Sequence, residues 1–415
     1  MTDFFSHLAL RQVSEIFEPN EYDKIHTFYN KNGFVLIQLL DEGACIDAIK
    51  EQVEKILLKQ PWEAKLVVLD PITEDEIVYS PATSDAYVKA LVQPNLKKKV
   101  LDGYKDAFPF HRGFGACCDP VGFHLHSMWR IRENPHIVRI AANLIGHRIK
   151  DLWVDINRPI HKLPTEGDAE FLHWDLQKFG EYQPDTSVQG KVMFSTGQFV
   201  CVPGTHTEEF HERFNHYYSS IYSENIGKAK AMTNLHPDKA DPLGLKSQTC
   251  NFCIPAGCCI FWSTNLLHGQ QITPRNAEIE FGMYLGYMLK TDRREYTAIA
   301  KRIKEKNIEI YGNKSVFYER PITELQDRIY SFEHGVAPFL WPSLQPIEFY
   351  PKKFNNFPHI LAAYVARMTK EAQQKYLRIR QSGPNPDNMV YDLLPWKDED
   401  YVPYKLSPLG LNLLI

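Results

Sequence analysis

Apolar positions along this chain change their period twice. In the N-terminal part they recur every three or four residues, as from Gly43 to Leu58, which predicts amphipathic helix. Pro19 and Asn20 precede a first helix beginning at Glu21-Tyr22-Asp23-Lys24-Ile25, and Tyr29 to Ile37 reads as a turn feeding a short strand. The first hundred residues are therefore expected to be mostly helical. Another helix is predicted from Pro135 to Leu144, with Ile137, Ile140, Ala141 and Leu144 on one face and Gly146 as its stop. From about Lys150 the pattern becomes short apolar runs between turn residues: Leu152–Asn157, Lys191–Phe194, Gln198–Val202, Asn251–Ile254, Cys258–Trp262 and Glu280–Met288. Short strands at such spacing predict a sandwich or barrel rather than alternating strand and helix. After Thr291 the chain turns basic and helical, then rich in proline and aromatic residues, with a last helix expected at His359–Arg380. The expected division is a β domain with N-terminal helices over 1–300 and an extension over 301–415, packed on the core as a lid or dimer contact.

Within the strand-rich half, His173-Trp174-Asp175 carries the strongest chemistry. On a strand, residues i and i+2 share a face, so His173 and Asp175 point together and Trp174 points away. His268, in Leu267-His268-Gly269 after the strand ending at Trp262, is the natural third member. Two imidazoles and a carboxylate suit iron(II) with open coordination positions. The same ligands also suit zinc in a hydrolase. Phe123-His124-Leu125-His126 offers a second histidine pair, without an evident carboxylate. Cys250, Cys253, Cys258 and Cys259 have the spacing of a weak zinc motif, although the last two fall inside an apolar run where buried thiols are ordinary.

These motifs, taken in order, resemble the phytanoyl-CoA dioxygenase family of iron- and 2-oxoglutarate-dependent oxygenases. Asn32-Gly33-Phe34-Val35-Leu36-Ile37 is similar to the family's early strand, and Asn143-Leu144-Ile145-Gly146 to its helix end. His173-Trp174-Asp175 matches its metal box. Gly197 to His206, ending Pro203-Gly204-Thr205-His206, and Pro255-Ala256-Gly257 with Leu267-His268-Gly269 match its later segments. The likeness covers roughly residues 25–290. It implies a mainly β fold with flanking helices around a double-stranded β-helix, the jelly-roll form of barrel. It further implies Fe(II) on His173, Asp175 and His268, with 2-oxoglutarate chelating the metal and being decarboxylated to succinate as dioxygen is consumed. An intact Asp175 points to hydroxylation rather than halogenation.

The family anchors the far carboxylate of 2-oxoglutarate with an arginine, where this chain has Ile279 and Glu280. Arg275 in the preceding loop and Arg158 beside Asn157 are the substitutes, since a guanidinium binds a carboxylate through two parallel hydrogen bonds. Asn157 is a further candidate for holding the co-substrate or substrate. Trp174, Gln177 and Trp262 are candidates for shaping the substrate pocket, and His206 and His211 lie near its expected rim. The departure at Ile279 and Glu280 keeps a second reading open, a non-catalytic barrel that binds a ligand or partner protein.

Composition narrows the partners. A net charge of −4 gives no chain-wide attraction to nucleic acid or an anionic membrane. Lys97-Lys98-Lys99 and the cluster Lys301, Arg302, Lys304 and Lys306 read as solvated helix faces. No apolar run approaches a membrane span, and neither a leader nor a disulfide framework is evident, so a reduced, cytoplasmic setting is expected. The expected partners are a small or medium organic substrate, 2-oxoglutarate and dioxygen, with a homodimer open.

Overall fold

The computed structural model describes residues 15–52, 120–162, 172–175, 184–222, 232–235, 239–269, 280–290 and 402–414, some single positions, and strand backbone at 10–12, 66–69, 76–79 and 98–100. In chain order the strands are β1 (Leu10–Gln12), β2 (Phe34–Gln38), β3 (Leu66–Leu69), β4 (Glu76–Tyr79), β5 (Lys98–Val100), β6 (Leu152–Asp155), β7 (Pro159–Lys162) and β8 (Leu172–Asp175). They continue as β9 (Ser187–Met193), β10 (Gly197–Cys201), β11 (Met232–Leu235), β12 (Cys250–Ile254), β13 (Cys258–Ser263), β14 (His268–Gly269) and β15 (Glu280–Leu289).

One sheet runs β1-β12-β10-β14-β8-β11; a second runs β2-β13-β9-β15-β6, with β7 also on β15. All their pairings are antiparallel except β1 with β12. The two sheets pack face to face. Phe199, Phe252 and Ile254 of the first meet Phe34, Leu36, Met193 and Ile260 of the second in one buried cluster. The pleat sends alternate residues outward. On β15, Phe281, Met283, Leu285 and Tyr287 join the cluster made with the helices, so Glu280, Gly282, Tyr284 and Gly286 face the space between the sheets.

Helices cover both outer faces. Tyr22–Asn32, Glu42–Gln52, His126–Arg132 and Pro135–Ile145 supply Ile25, Ile49, Trp129 and Ile140 against the second sheet. Helix Glu208–Tyr218 places Phe214 and Tyr218 against Trp174 and Leu267 on the first. Asn134 caps Pro135–Ile145 by accepting from the His136 and Ile137 amides, and Gly146 ends it in the left-handed conformation at φ 75°. At the C-terminal end, Ser407 and Tyr404 bond Glu133, while Leu413 and Leu414 are buried in the helical layer.

Several expectations require correction. The N-terminal hundred residues hold a three-stranded sheet β4-β3-β5 as well as helices, because Val67-Val68 and Ile77-Val78 are β-branched pairs suited to a pleated surface. Lys98 and Lys99 belong to β5 and not to a helix face. The first helix extends through Tyr29 to Asn32, where a turn was expected, and stops at Gly33. Helices His126–Arg132 and Glu208–Tyr218 escape the apolar pattern. The expected helix at His359–Arg380 and the basic cluster near residue 301 lie outside the described residues. No helix among the described residues is long and apolar enough to cross a membrane.

Candidate metal centre

The two histidines selected from the sequence meet. β14 pairs with β8 at His268 and His173 themselves, and the two rings lie 4.4 Å apart between centroids at an interplanar angle of 48°. Both face the space between the sheets, since their chain neighbours Leu172, Trp174 and Leu267 lie in the outer cluster. Asp175 stands two residues beyond His173 on β8, hence on the same strand face, opposite Met232. Its carboxylate is outside the described side chains, and among those described no trio of His, Cys, Asp or Glu converges. Cys250, Cys253, Cys258 and Cys259 are free thiols that build no zinc centre among the described residues.

His268 is fixed from several sides. Its Nδ1 lies 3.0 Å from the Leu266 carbonyl, which can only accept. In the neutral ring Nδ1 therefore carries the hydrogen and Nε2 is the basic nitrogen, the form in which an imidazole ligates a metal. Trp262 and Phe199 flank it, at 5.3 and 6.2 Å between ring centroids. The Trp262 indole donates to Gln189 Oε1 at 2.8 Å.

The loop before His268 is gripped by the other motifs. Thr205 Oγ1 donates to the Val202 carbonyl at 2.7 Å and accepts from the Leu267 amide at 2.9 Å. Gly33, at φ 79°, accepts from the Ser263 amide through its carbonyl, and a Cβ there would lie 2.7 Å from His206 and 2.8 Å from Leu266. Asp185 accepts from Thr264 Oγ1 at 2.7 Å and Asn265 Nδ2 at 2.8 Å; burial raises its pKa. Of the two histidines expected near the pocket rim, His206 is half-buried and His211 is buried. Burial lowers the pKa of both, that of His211 to about 4. His211 Nε2 lies 3.2 Å from the Asn265 carbonyl.

The remaining candidates separate. Trp262 lines the space beside the histidines, whereas Trp174 packs on Phe214 in the outer cluster, its ring 4.7 Å away, and so does not line the inner space. Asn157 is committed locally: its Nδ2 donates to Asp155 at 2.8 Å and its Oδ1 accepts from the Arg158 amide at 2.8 Å, as a strand-end cap does. Arg158 is buried, its guanidinium 4.7 Å above the Tyr284 ring. Glu280 is buried and faces inward. Arg275, Gln177 and Ile279 lie outside the described residues. His124 accepts from the Trp129 indole, and His126 bonds the Val402 carbonyl, so that pair does not converge. A cleft of about 730 Å³ between helices Tyr22–Asn32 and Pro135–Ile145 is lined by His26, His147 and Asp151 and touches neither site histidine.

Missing from the sequence reading was Lys191. It is 4% exposed and lies on β9 between Gln189 and Met193, which point into the same space, and its ammonium donates to the Gln198 carbonyl on the opposite sheet. In Ser187-Val188-Gln189-Gly190-Lys191-Val192-Met193 the lysine follows Ser187 and Gln189 at every second position, which in the sequence alone reads as a solvated strand face.

No protein-family model and no curated protein matches the chain. Among solved structures, it is similar to the epimerase SnoN in complex with Fe3+, alpha ketoglutarate and nogalamycin RO, at 14% identity over 66% of this chain and 85% of that one, TM-score 0.36. The apo form of the non-heme monooxygenase ThoJ is similar at 14% identity over 64% and 77% of the two chains, TM-score 0.36. EvdO2 from Micromonospora carbonacea var. aurantiaca, complexed with 2-oxoglutarate, is similar at 9% identity over 68% and 93%, TM-score 0.33. At these identities and scores the likenesses assign no chemistry to this chain.

Proposed function

We propose that this protein is an iron(II)- and 2-oxoglutarate-dependent oxygenase of the phytanoyl-CoA dioxygenase type, built on a double-stranded β-helix, that hydroxylates a C–H bond of a small or medium organic substrate. The observation that carries this reading is the His173–His268 pair, facing the inter-sheet space with rings 4.4 Å apart and Asp175 two residues along the same strand. That donor set fits iron(II) and leaves coordination positions for a chelating oxo acid and dioxygen. Bound iron would supply the redox chemistry that couples dioxygen reduction to decarboxylation of 2-oxoglutarate and oxidation of a C–H bond.

The chain's own contribution is placement and shielding. His268 is held in its ligating tautomer by the Leu266 carbonyl, and the Thr205 hydroxyl fixes the neighbouring Leu267 amide. Trp262 and Phe199 wall the histidine pair with apolar surface, which keeps bulk water away from the reacting carbon. Anaerobic addition of iron(II) and 2-oxoglutarate is expected to give a weak visible charge-transfer band that His173→Ala and His268→Ala both lack. Identical spectra for wild type and His173→Ala would remove the basis of the reading.

The inward-facing Glu280, where the family carries its arginine, favours a second reading of a binding protein without turnover. His268-dependent conversion of 2-oxoglutarate to succinate excludes that alternative, and metal content after anaerobic purification separates iron from a zinc hydrolase.

A further inference from the structure

The register of the first sheet sets four chemically active side chains in one row. Cys250 on β12 stands opposite Cys201 on β10, Cys201 opposite His268 on β14, and His268 opposite His173 on β8. Residues paired directly across antiparallel strands point to one face. Here it is the inner face, where Cys201 and Cys250 join the cluster of Phe199, Phe252 and Trp262. Two of the four side chains are the proposed metal ligands, and the other two are thiols that the proposed function does not use.

The kind of pairing decides what the thiols can do. The Val202 amide donates to the Leu267 carbonyl at 2.9 Å, so Val202 turns its hydrogen-bonding groups toward β14 and Cys201, one residue earlier, turns its own toward β12. Cys201 and Cys250 are therefore a hydrogen-bonded pair, with Cα atoms about 5.5 Å apart, inside the range of about 4.4–6.8 Å that a disulfide spans. Cys201 and His268 form the closer, non-hydrogen-bonded kind of pair, at about 4.5 Å. Among the described strands no other two cysteines stand opposite one another. Cys253 lies opposite Gln198 on the outer side of β12, and Cys258 and Cys259, adjacent on β13, lie opposite Gln38 and Ile37. Cys201 is fully buried, whereas Cys250 is half-buried with its thiol donating to the Gln248 carbonyl at 3.6 Å, so a small oxidant meets Cys250 first.

We propose that Cys201 and Cys250 are a thiol switch that hydrogen peroxide closes to a disulfide, and that closure loosens the metal centre. Peroxide first converts Cys250 to its sulfenic acid: an S–O bond forms, the O–O bond breaks, and the thiol proton leaves with the second oxygen as water. The Cys201 sulfur then attacks that of Cys250, an S–S bond forms as the S–O bond breaks, and the Cys201 proton departs with the hydroxyl as a second water. Two thiols lose two electrons in all, and one peroxide takes them up. Opposed Cβ atoms about 5.5 Å apart must approach to about 3.8 Å in a disulfide. Closure therefore draws β10 toward β12 and away from β14, carrying Cys201 from His268 and Phe199 from the ring on which it stacks. Such coupling is reciprocal, so an ion on the histidines opposes closure as strongly as closure opposes the ion. The switch thus closes preferentially at an empty centre. The disulfide stands on the strand register alone, and its coupling to a metal rests on the function proposed above.

Peroxide treatment of the metal-free full chain, ended by catalase, tests the switch without turnover. Peptide mapping is expected to find Cys201 joined to Cys250, with the link undone by dithiothreitol. Calorimetric titration should then show manganese(II) bound about 5- to 150-fold more weakly than by the reduced chain. In a glutathione redox buffer, manganese(II) should shift the thiol–disulfide equilibrium toward the reduced form by the same factor. Cys250→Ser should form no link at Cys201 and keep the manganese affinity of reduced wild type after peroxide, and Cys253→Ser should behave as wild type. Circular dichroism checks each fold, and Cys250→Ala takes the place of Cys250→Ser if the serine variant does not fold. A folded wild type that forms no link between Cys201 and Cys250, or that links either to another cysteine, overturns the switch. A link that leaves manganese affinity unchanged overturns its coupling to the centre. Reduced wild type that binds no manganese(II) overturns the function proposed above and the coupling with it, whereas the mapping decides the disulfide by itself.

Discussion

His211 is buried as a neutral ring against the Asn265 carbonyl, and burial lowers its pKa to about 4 from an ordinary 6.5. Between those values the unfolded chain binds the proton and the folded chain does not. Stability therefore falls as pH drops from 6.5, levels off below about 4, and is untouched by this group above 6.5. The full effect is on the order of 3 kcal/mol. His211→Gln keeps a donor for Asn265 and removes the titration, so its urea midpoint should change less across that window than that of wild type. At this scale the sequence was most readable where a side chain has one chemical use: His173 and His268 are set apart by position and arrive together. Lys191 was not read, because a single lysine in a short strand looks like a surface residue until the second sheet is known to cover it. Trp174 and Asn157 were drawn toward the site by sequence proximity, while the pleat and a local cap direct them elsewhere.

Among elements, two turns far apart in sequence grip the loop before His268. Gly33 adopts φ 79° beneath His206 and Leu266, and the Pro203-Gly204-Thr205-His206 turn supplies the hydroxyl that receives the Leu267 amide. Thr205→Val leaves that buried amide without its acceptor. The expected loss is about 1–3 kcal/mol, read from urea unfolding, together with weaker retention of iron measured by metal analysis after dialysis. Gly33→Ala should cost about 1–2 kcal/mol from the left-handed backbone alone, and more from the contact with His206. A loss below about half a kcal/mol in a urea titration would contradict the close packing described. The order of these motifs in the chain was legible because each needs a particular residue, a glycine for backbone and a threonine for its hydroxyl. The pairing of the strands was not, since β8 and β11 join residues that no local period connects.

Across the whole molecule, the helical layer on the second sheet is closed by the chain's last described segment, where Leu413 is fully buried and Glu133 binds Tyr404 and Ser407. This surface lies on the far side of the second sheet from the histidines. Leu413→Ala is expected to cost about 2–5 kcal/mol of stability and to leave iron affinity as in wild type; a changed affinity, measured by competition with a chelator, would show coupling across the sheet. A helical part followed by a sandwich or barrel of short strands was legible in the change of apolar period, whereas the β4-β3-β5 sheet lay hidden in a region whose neighbours are helical.

The first sheet is thinnest where β14, two residues long, meets β8 at His268 and His173. An ion held by both rings would stitch that seam and tie the β8–β11 ribbon to the rest of the sheet. Ligand that binds only the closed seam stabilises it by mass action. Amide hydrogens of Leu172–Asp175 and Met232–Leu235 should then exchange more slowly with metal present, with little change in β13, making the ribbon a reporter of occupancy that needs no substrate.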